Sequence, residues 1–177
     1  MKQHITVEEL KTLSDSQKQT LNARWLPGKY DRVVASVCKD VENDVYEDVE
    51  FIIGEIILNN GTRITLRRLR LLDDIIVEDN ELPIDDESPS DDENYDMTLN
   101  DPGDYFMKED CLPLLSVGQL ISFIRNTKAG QNGFSLGIPP INDRLFDQCF
   151  TLDDRFGEVN KAEELTDLLF DTLKTML

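Results

Sequence analysis

A single histidine, His4, serves this chain of 177 residues, and it lies in an N-terminal stretch expected to fray. Histidine-based nucleophilic or acid–base chemistry has little to build on. Cysteine is scarce too: Cys38, Cys111 and Cys149 are an odd number, and no two are close in sequence. That is neither a disulfide framework nor a zinc-ligand spacing, and it fits a reducing cytosol. No apolar run approaches the roughly 20 residues of a membrane span. The opening MKQHITVEELKTL lacks the apolar core of a signal peptide. These absences lead to the expectation of a cytoplasmic protein with no membrane contact.

Basic charge is the most telling deficit. Eighteen Lys and Arg face 36 Asp and Glu, for a net charge of -18. Direct binding to DNA, RNA or anionic lipid is disfavoured, because each requires cations facing phosphate. Between Arg70 and Lys108 there is no basic residue at all, and 14 acids: Asp73, Asp74, Glu78, Asp79, Glu81, Asp85, Asp86, Glu87, Asp91, Asp92, Glu93, Asp96, Asp101 and Asp104. Removing those 14 from the net -18 leaves -4 for everything else, so the acidity is local.

What is present reads as an ordinary fold around that stretch. Thr6 with Glu9 and Ser14 with Gln17 are capping-box pairs, predicting two short N-terminal helices with Leu10, Leu13, Leu21 and Trp25 as core contacts. Leu26–Asp31 (LPGKYD) is a turn. DRVVASVCKD and VEFIIGEIIL are rich in β-branched residues and predict strands. Asn59-Asn60-Gly61 marks a hairpin turn, because Asn-Gly accepts positive φ, and Thr62–Leu72 is the returning strand. Ser116 with Gln119 is a third capping box, followed by Val117, Leu120, Ile121 and Ile124 at helical spacing. The Gly- and Pro-rich NTKAGQNGFSLGIPPIND reads as loop. A last helix is expected from near Asn160, with Leu165, Leu168, Leu169, Leu173 and Met176 as an apolar stripe, read as core rather than as a dimer seam.

The motifs that suggest chemistry are incomplete. GFSLG (Gly133–Gly137) matches G-x-S-x-G, but a nucleophile elbow needs a strand before Ser135 and a helix after it, and Pro139 and Pro140 oppose that helix. DDESPSDDENYD clusters oxygens that calcium would favour, yet it lacks the central glycine of a calcium loop. Paired carboxylates such as Asp73/Asp74 and Asp153/Asp154 come without a phosphate loop or a cationic clamp. The basic cluster at Arg67, Arg68 and Arg70 is expected to pair with Glu47, Asp48 and Glu50 on a neighbouring strand, or with the early acidic stretch. No catalytic, cofactor-binding or metal-ligating residue is assigned, and the chain is not read as an enzyme.

The acidic stretch supports two readings. Its like charges and its prolines, Pro83, Pro89 and Pro102, fit a solvated insertion with the composition of a flexible coil. The same carboxylates can also present an anionic surface that occupies the Lys/Arg track of a nucleic-acid-binding protein. The partner-binding residues would then be Asp79, Glu81, Asp85, Asp86, Glu87, Asp91, Asp92, Glu93 and Asp96, with Ile75, Ile76, Val77, Leu82, Ile84, Tyr95 and Leu99 as apolar anchors.

Three stretches, LKTLSDSQKQTLNARWLPGKYD, KEDCLPLLSVGQLISFI and ELTDLLFDTLKTML, resemble small phage- and prophage-encoded proteins of low-GC Gram-positive bacteria. In those, a helical hairpin ends in Trp-x-Pro, followed by Gly-Asp where this chain has GKYD, and a Cys-Leu-Pro-Leu-Leu run leads into a Gly-Gln helix. The resemblance covers under half of the chain and brings no activity or catalytic residue. It implies a mobile-element origin, for which an anti-CRISPR-like inhibitor of host defence is an analogy of class.

The combined expectation is one α+β domain over residues 1–177. It has an N-terminal helical hairpin, a small antiparallel sheet with the Asn-Gly hairpin, an acidic insertion over 73–104, and C-terminal helices packed on one sheet face. The leading function is a non-enzymatic acidic protein that binds a basic, nucleic-acid-handling host protein such as a defence nuclease. The alternative is a phage accessory or structural protein whose acidic loop is a solvated linker. A metal-dependent hydrolase ranks third.

Overall fold

Each of the three capping boxes starts a helix. Thr6, Ser14 and Ser116 accept from the backbone N–H three residues on, and Glu9, Gln17 and Gln119 return the bond to the cap backbone. They open α1 (Val7–Lys11), α2 (Asp15–Arg24) and α3 (Val117–Arg125), satisfying donors that a helix start would otherwise leave bare. The computed structural model describes residues 2–40, 43–70, 102–128, 130–139, 149–153 and 159–177. The fold is α+β with antiparallel sheets, and the chain divides into two compact units, Pro27–Cys111 and the pair Met1–Leu26 with Leu112–Leu177.

The unit Pro27–Cys111 is a sheet. Strands β1 (Arg32–Asp40), β2 (Val45–Asn59), β3 (Arg63–Arg68) and β4 (Tyr105–Met107) pair antiparallel in the spatial order β4-β3-β2-β1. A further short strand, β5 (Cys111–Pro113), is where the chain passes from one unit to the other. The Asn-Gly signal holds: Asn60 and Gly61 have φ of 50° and 71°, and the Thr62 N–H closes the turn onto the Asn59 carbonyl at 3.2 Å. One feature was not legible in the sequence. Ile53 is opposite Arg68 but Glu55 is opposite Arg67, so Gly54 is an extra residue on β2. A β-bulge of this kind swaps which alternate residues face a given side. A Cβ at Gly54 would sit 3.0 Å from the Leu69 Cα, so a side chain there requires the neighbouring backbone to give by a few tenths of an ångström. Val33, Phe51, Ile53 and Leu66 are buried, and Phe51 stacks on Phe106 with ring centroids 4.3 Å apart.

The other unit joins the chain's first residues to its last. Ile5, Leu10, Leu13, Leu21 and Trp25 are buried with Leu115, Leu120, Ile124, Leu168, Leu169, Phe170 and Leu173. The expected fraying at the start is not found. His4 forms a bridge with Ser116, and the Ile5 N–H donates to the Leu115 carbonyl at 3.0 Å. The Thr166 hydroxyl donates to the Lys2 carbonyl at 2.6 Å, while the Lys2 ammonium bonds Glu9 at 2.5 Å and Asp167 at 2.9 Å.

A second sheet corrects the reading of the C-terminal third. β6 (Ser135–Gly137), β7 (Phe150–Asp153) and β8 (Val159–Ala162) form a three-stranded antiparallel sheet. The stretch read wholly as loop thus contains β6. The helix expected from Asn160 begins later, as α4 (Leu165–Met176), because Asn160–Ala162 pair with β7. Leu165, Leu168, Leu169 and Leu173 of the α4 stripe are core as expected, Met176 is half-buried, and this helix lies against β7 and β8 and against α3.

Candidate functional site

The acidic stretch is the connection between two paired strands. Thr65, Leu66 and Arg67 of β3 are opposite Met107, Phe106 and Tyr105 of β4, so the chain leaves β3 and returns to β4 at the same end of the sheet. Two contacts close that end. Arg67 lies over the Tyr105 ring, 5.6 Å from its centroid, a cation–π distance. Beyond it, Arg70 Nε donates to Asp104 Oδ2 in an ion pair whose side chains are only 15% and 9% exposed. A 3-10 turn, Pro102–Asp104, presents that carboxylate. Burial makes such a bond electrostatically strong, and it makes the loss of either partner costly. The mouth of the acidic connection is therefore pinned.

Asp104 is accordingly not a surface charge; the other 13 of the 14 acids between Arg70 and Lys108 lie outside the described residues. The nine residues expected to bind a partner, Asp79, Glu81, Asp85, Asp86, Glu87, Asp91, Asp92, Glu93 and Asp96, lie outside the described residues, as do the apolar anchors expected among them.

The sheet that carries the connection largely cancels its own charge. Arg32 pairs with Glu50 at 3.5 Å, Lys39 with Glu47, and Arg67 with Glu55 at 3.4 Å. The arginine cluster is expected to pair with Glu47, Asp48 and Glu50 or with the early acidic stretch; of these, Glu47 and Glu50 pair with Lys39 and Arg32 of β1. Register explains the exchange: Glu55 stands directly opposite Arg67, while Glu50 and Glu47 stand opposite β1.

The remaining motifs are placed as follows. Ser135 is the first residue of β6, follows a 3-10 turn (Gly130–Asn132) and is exposed, so it does not stand at a strand-to-helix elbow. Cys111 is fully buried, and its thiol donates to the Met107 carbonyl at 3.3 Å. Burial, reinforced by Asp110, pushes that thiol up to about 12, so it carries little thiolate at neutral pH. Cys38 is exposed. Among the described residues no group of three or more His, Cys, Asp or Glu is arranged to hold a metal ion, and no helix is long and apolar enough to cross a membrane. No family model, no curated protein and no solved structure matches the chain.

Proposed function

We propose that this chain is a non-enzymatic acidic binding protein that engages a basic, nucleic-acid-handling host protein by presenting carboxylates in place of phosphates. The observation that carries this reading is the separation of charge. A sheet whose cations and anions pair with one another holds, by a closed mouth, a connection with 13 further acids and no base. A solvated spacer requires neither that density of one sign nor a buried ion pair at its base. Carboxylates of one sign raise the encounter rate with a cationic groove and compete there with nucleic acid. The resemblance of the helical stretches to phage and prophage proteins supplies the setting, a bacterial host cytoplasm, where the partner class would include a defence nuclease and the role would be anti-CRISPR-like.

The test is capture from a bacterial lysate on the immobilised full chain, repeated at rising salt, with the Asp85, Asp86, Glu87, Asp91, Asp92 and Glu93 to Asn/Gln variant alongside. The Debye length is about 10 Å at 0.1 M salt and about 3 Å at 1 M. A cationic partner should therefore be held at low salt, released at high salt, displaced by added DNA or RNA, and lost by the variant. A partner indifferent to salt and to all six neutralisations sinks the proposal and leaves the stretch as a linker.

A further inference from the structure

A second site lies within the unit built from residues 1–26 and 112–177, independent of the acidic connection. The C-terminal end of α2 and the C-terminal end of α3 enclose a cavity of about 610 Å³. That falls within the roughly 300–1,000 Å³ of small-molecule sites. Trp25, Leu26 and Phe123 give it apolar walls. Leu26 is 84% exposed, so its side chain is open to contact. Among the described residues, Arg24 and Lys128 are the charged ones of the lining and no carboxylate lines it.

In a chain with twice as many acids as bases, two cations on one cavity with no described carboxylate beside them are the feature to explain. Lys2, Lys11, Arg32, Lys39, Arg67 and Arg70 have carboxylate partners, whereas among the described residues Lys18, Arg63 and Arg125 stand singly without one. Among the described residues neither Arg24 nor Lys128 has one. Two helix C-termini meet here, each worth roughly half a negative charge. At α3 the carbonyls of Ser122, Phe123 and Ile124 are already bonded by the Asn126 and Thr127 N–H groups. The two cations therefore outweigh the helix ends and leave a local charge of about +1. Apolar walls, unpaired cations at the rim and the Asn126 amide for orientation fit one chemistry.

We infer that this cavity binds a small organic anion with a flat apolar body, such as an aromatic carboxylate, sulfonate or phosphate ester. The ring system lies against Phe123 and Leu26, and the anionic group lies between Arg24 and Lys128. Exclusion of water from the apolar wall supplies most of the affinity, and the cations supply the preference for negative charge.

The chain reports on this site by itself, because its one tryptophan, Trp25, lines the cavity. Anilinonaphthalene sulfonate is titrated into the full-length protein with excitation of the tryptophan, and uncharged phenylnaphthylamine, of the same shape, is the control. The anion should take energy from Trp25 and bind about tenfold more tightly than the neutral probe. In R24Q/K128Q, with an unchanged circular dichroism spectrum and Tm, the anion should lose about tenfold and the neutral probe nothing. Equal binding of the two probes, an undiminished preference in the variant, or no transfer from Trp25 overturns the inference.

Discussion

The two units of this chain are built on opposite plans. Pro27–Cys111 is continuous, and its strands pair largely with their sequence neighbours: β1 with β2 and β2 with β3 across short turns. The other unit is assembled from the chain's two ends, and its first residues are held by bonds to Leu115, Glu164 and Thr166. Local pairing can form early, whereas contacts across so much chain must first offset loop-closure entropy. The comparison teaches where each unit is vulnerable: the sheet at its one long connection, the helical unit at the strap and the turns that close it.

The sharpest way to break the sheet side is at the pinned mouth. Arg70→Met leaves Asp104 buried without its cation and should cost about 3 kcal/mol in urea denaturation. Adding Asp104→Leu should recover most of that loss. A single-variant cost below about 1 kcal/mol would show that the pair does not hold the mouth.

On the helical side the corresponding point is Gly130, buried after α3. A Cβ there would lie 1.9 Å from the Ile124 carbonyl oxygen, a backbone atom that cannot move without disturbing the end of the helix. Gly130→Ala should cost about 2 kcal/mol by thermal denaturation. No change in Tm would mean that the turn relaxes freely.

The Lys2 strap should contribute less, and with a pH signature. Burial pushes the Lys2 ammonium down, but its bonds to Glu9 and Asp167 outweigh this and leave it above its usual range. Burial likewise pushes the Glu9 carboxyl up, while bonds from Lys2 and Thr6 outweigh it and leave it below its usual range. A lowered carboxyl stabilises above its ordinary value of 4.5 and loses that contribution as pH falls through its folded value. A raised ammonium stabilises below 10.5 and loses that contribution as pH rises through its folded value. Between those limits Lys2→Met should cost about 1 kcal/mol, discounted for partial exposure. The gap from wild type should close as acid protonates Glu9, and an equal gap at pH 3 and pH 7 would refute the assignment.

The smallest expected effect has the opposite sign. Gly118 sits in the first turn of α3, and a methyl group added there would meet nothing within 4 Å. Gly118→Ala should stabilise the helical unit by about 0.5 kcal/mol through the unfolded chain, read as a small rise in Tm. A fall in Tm there would contradict the open space beside the helix.

What the sequence disclosed follows the same division. Signals that act within a few residues were legible: the three capping boxes, the Asn-Gly turn, the β-branched runs of β1 and β2, and the α4 stripe. Signals that depend on distant partners were not. β6, β7 and β8 are three or four residues long, too short to show a period, and exist because they pair with one another. The Gly54 bulge is visible only against β3. At the acidic site the charge count was legible, but the burial of Asp104 depends on its meeting Arg70, 34 residues earlier. The cavity between α2 and α3 had no sequence signal, because Arg24 and Lys128 read as ordinary surface cations.

The pairing of Arg67 with Tyr105 has a consequence for tolerance. Once two strands fix the ends of a connection, closure entropy depends only on the logarithm of its length, so halving or doubling it changes stability by about 0.6 kcal/mol. That is less than a single core methyl group typically contributes. The closure cost that the sheet bears for this connection is therefore nearly independent of its length. In evolutionary terms, insertions and deletions between two such pinned ends carry a small entropic cost, as in a display scaffold.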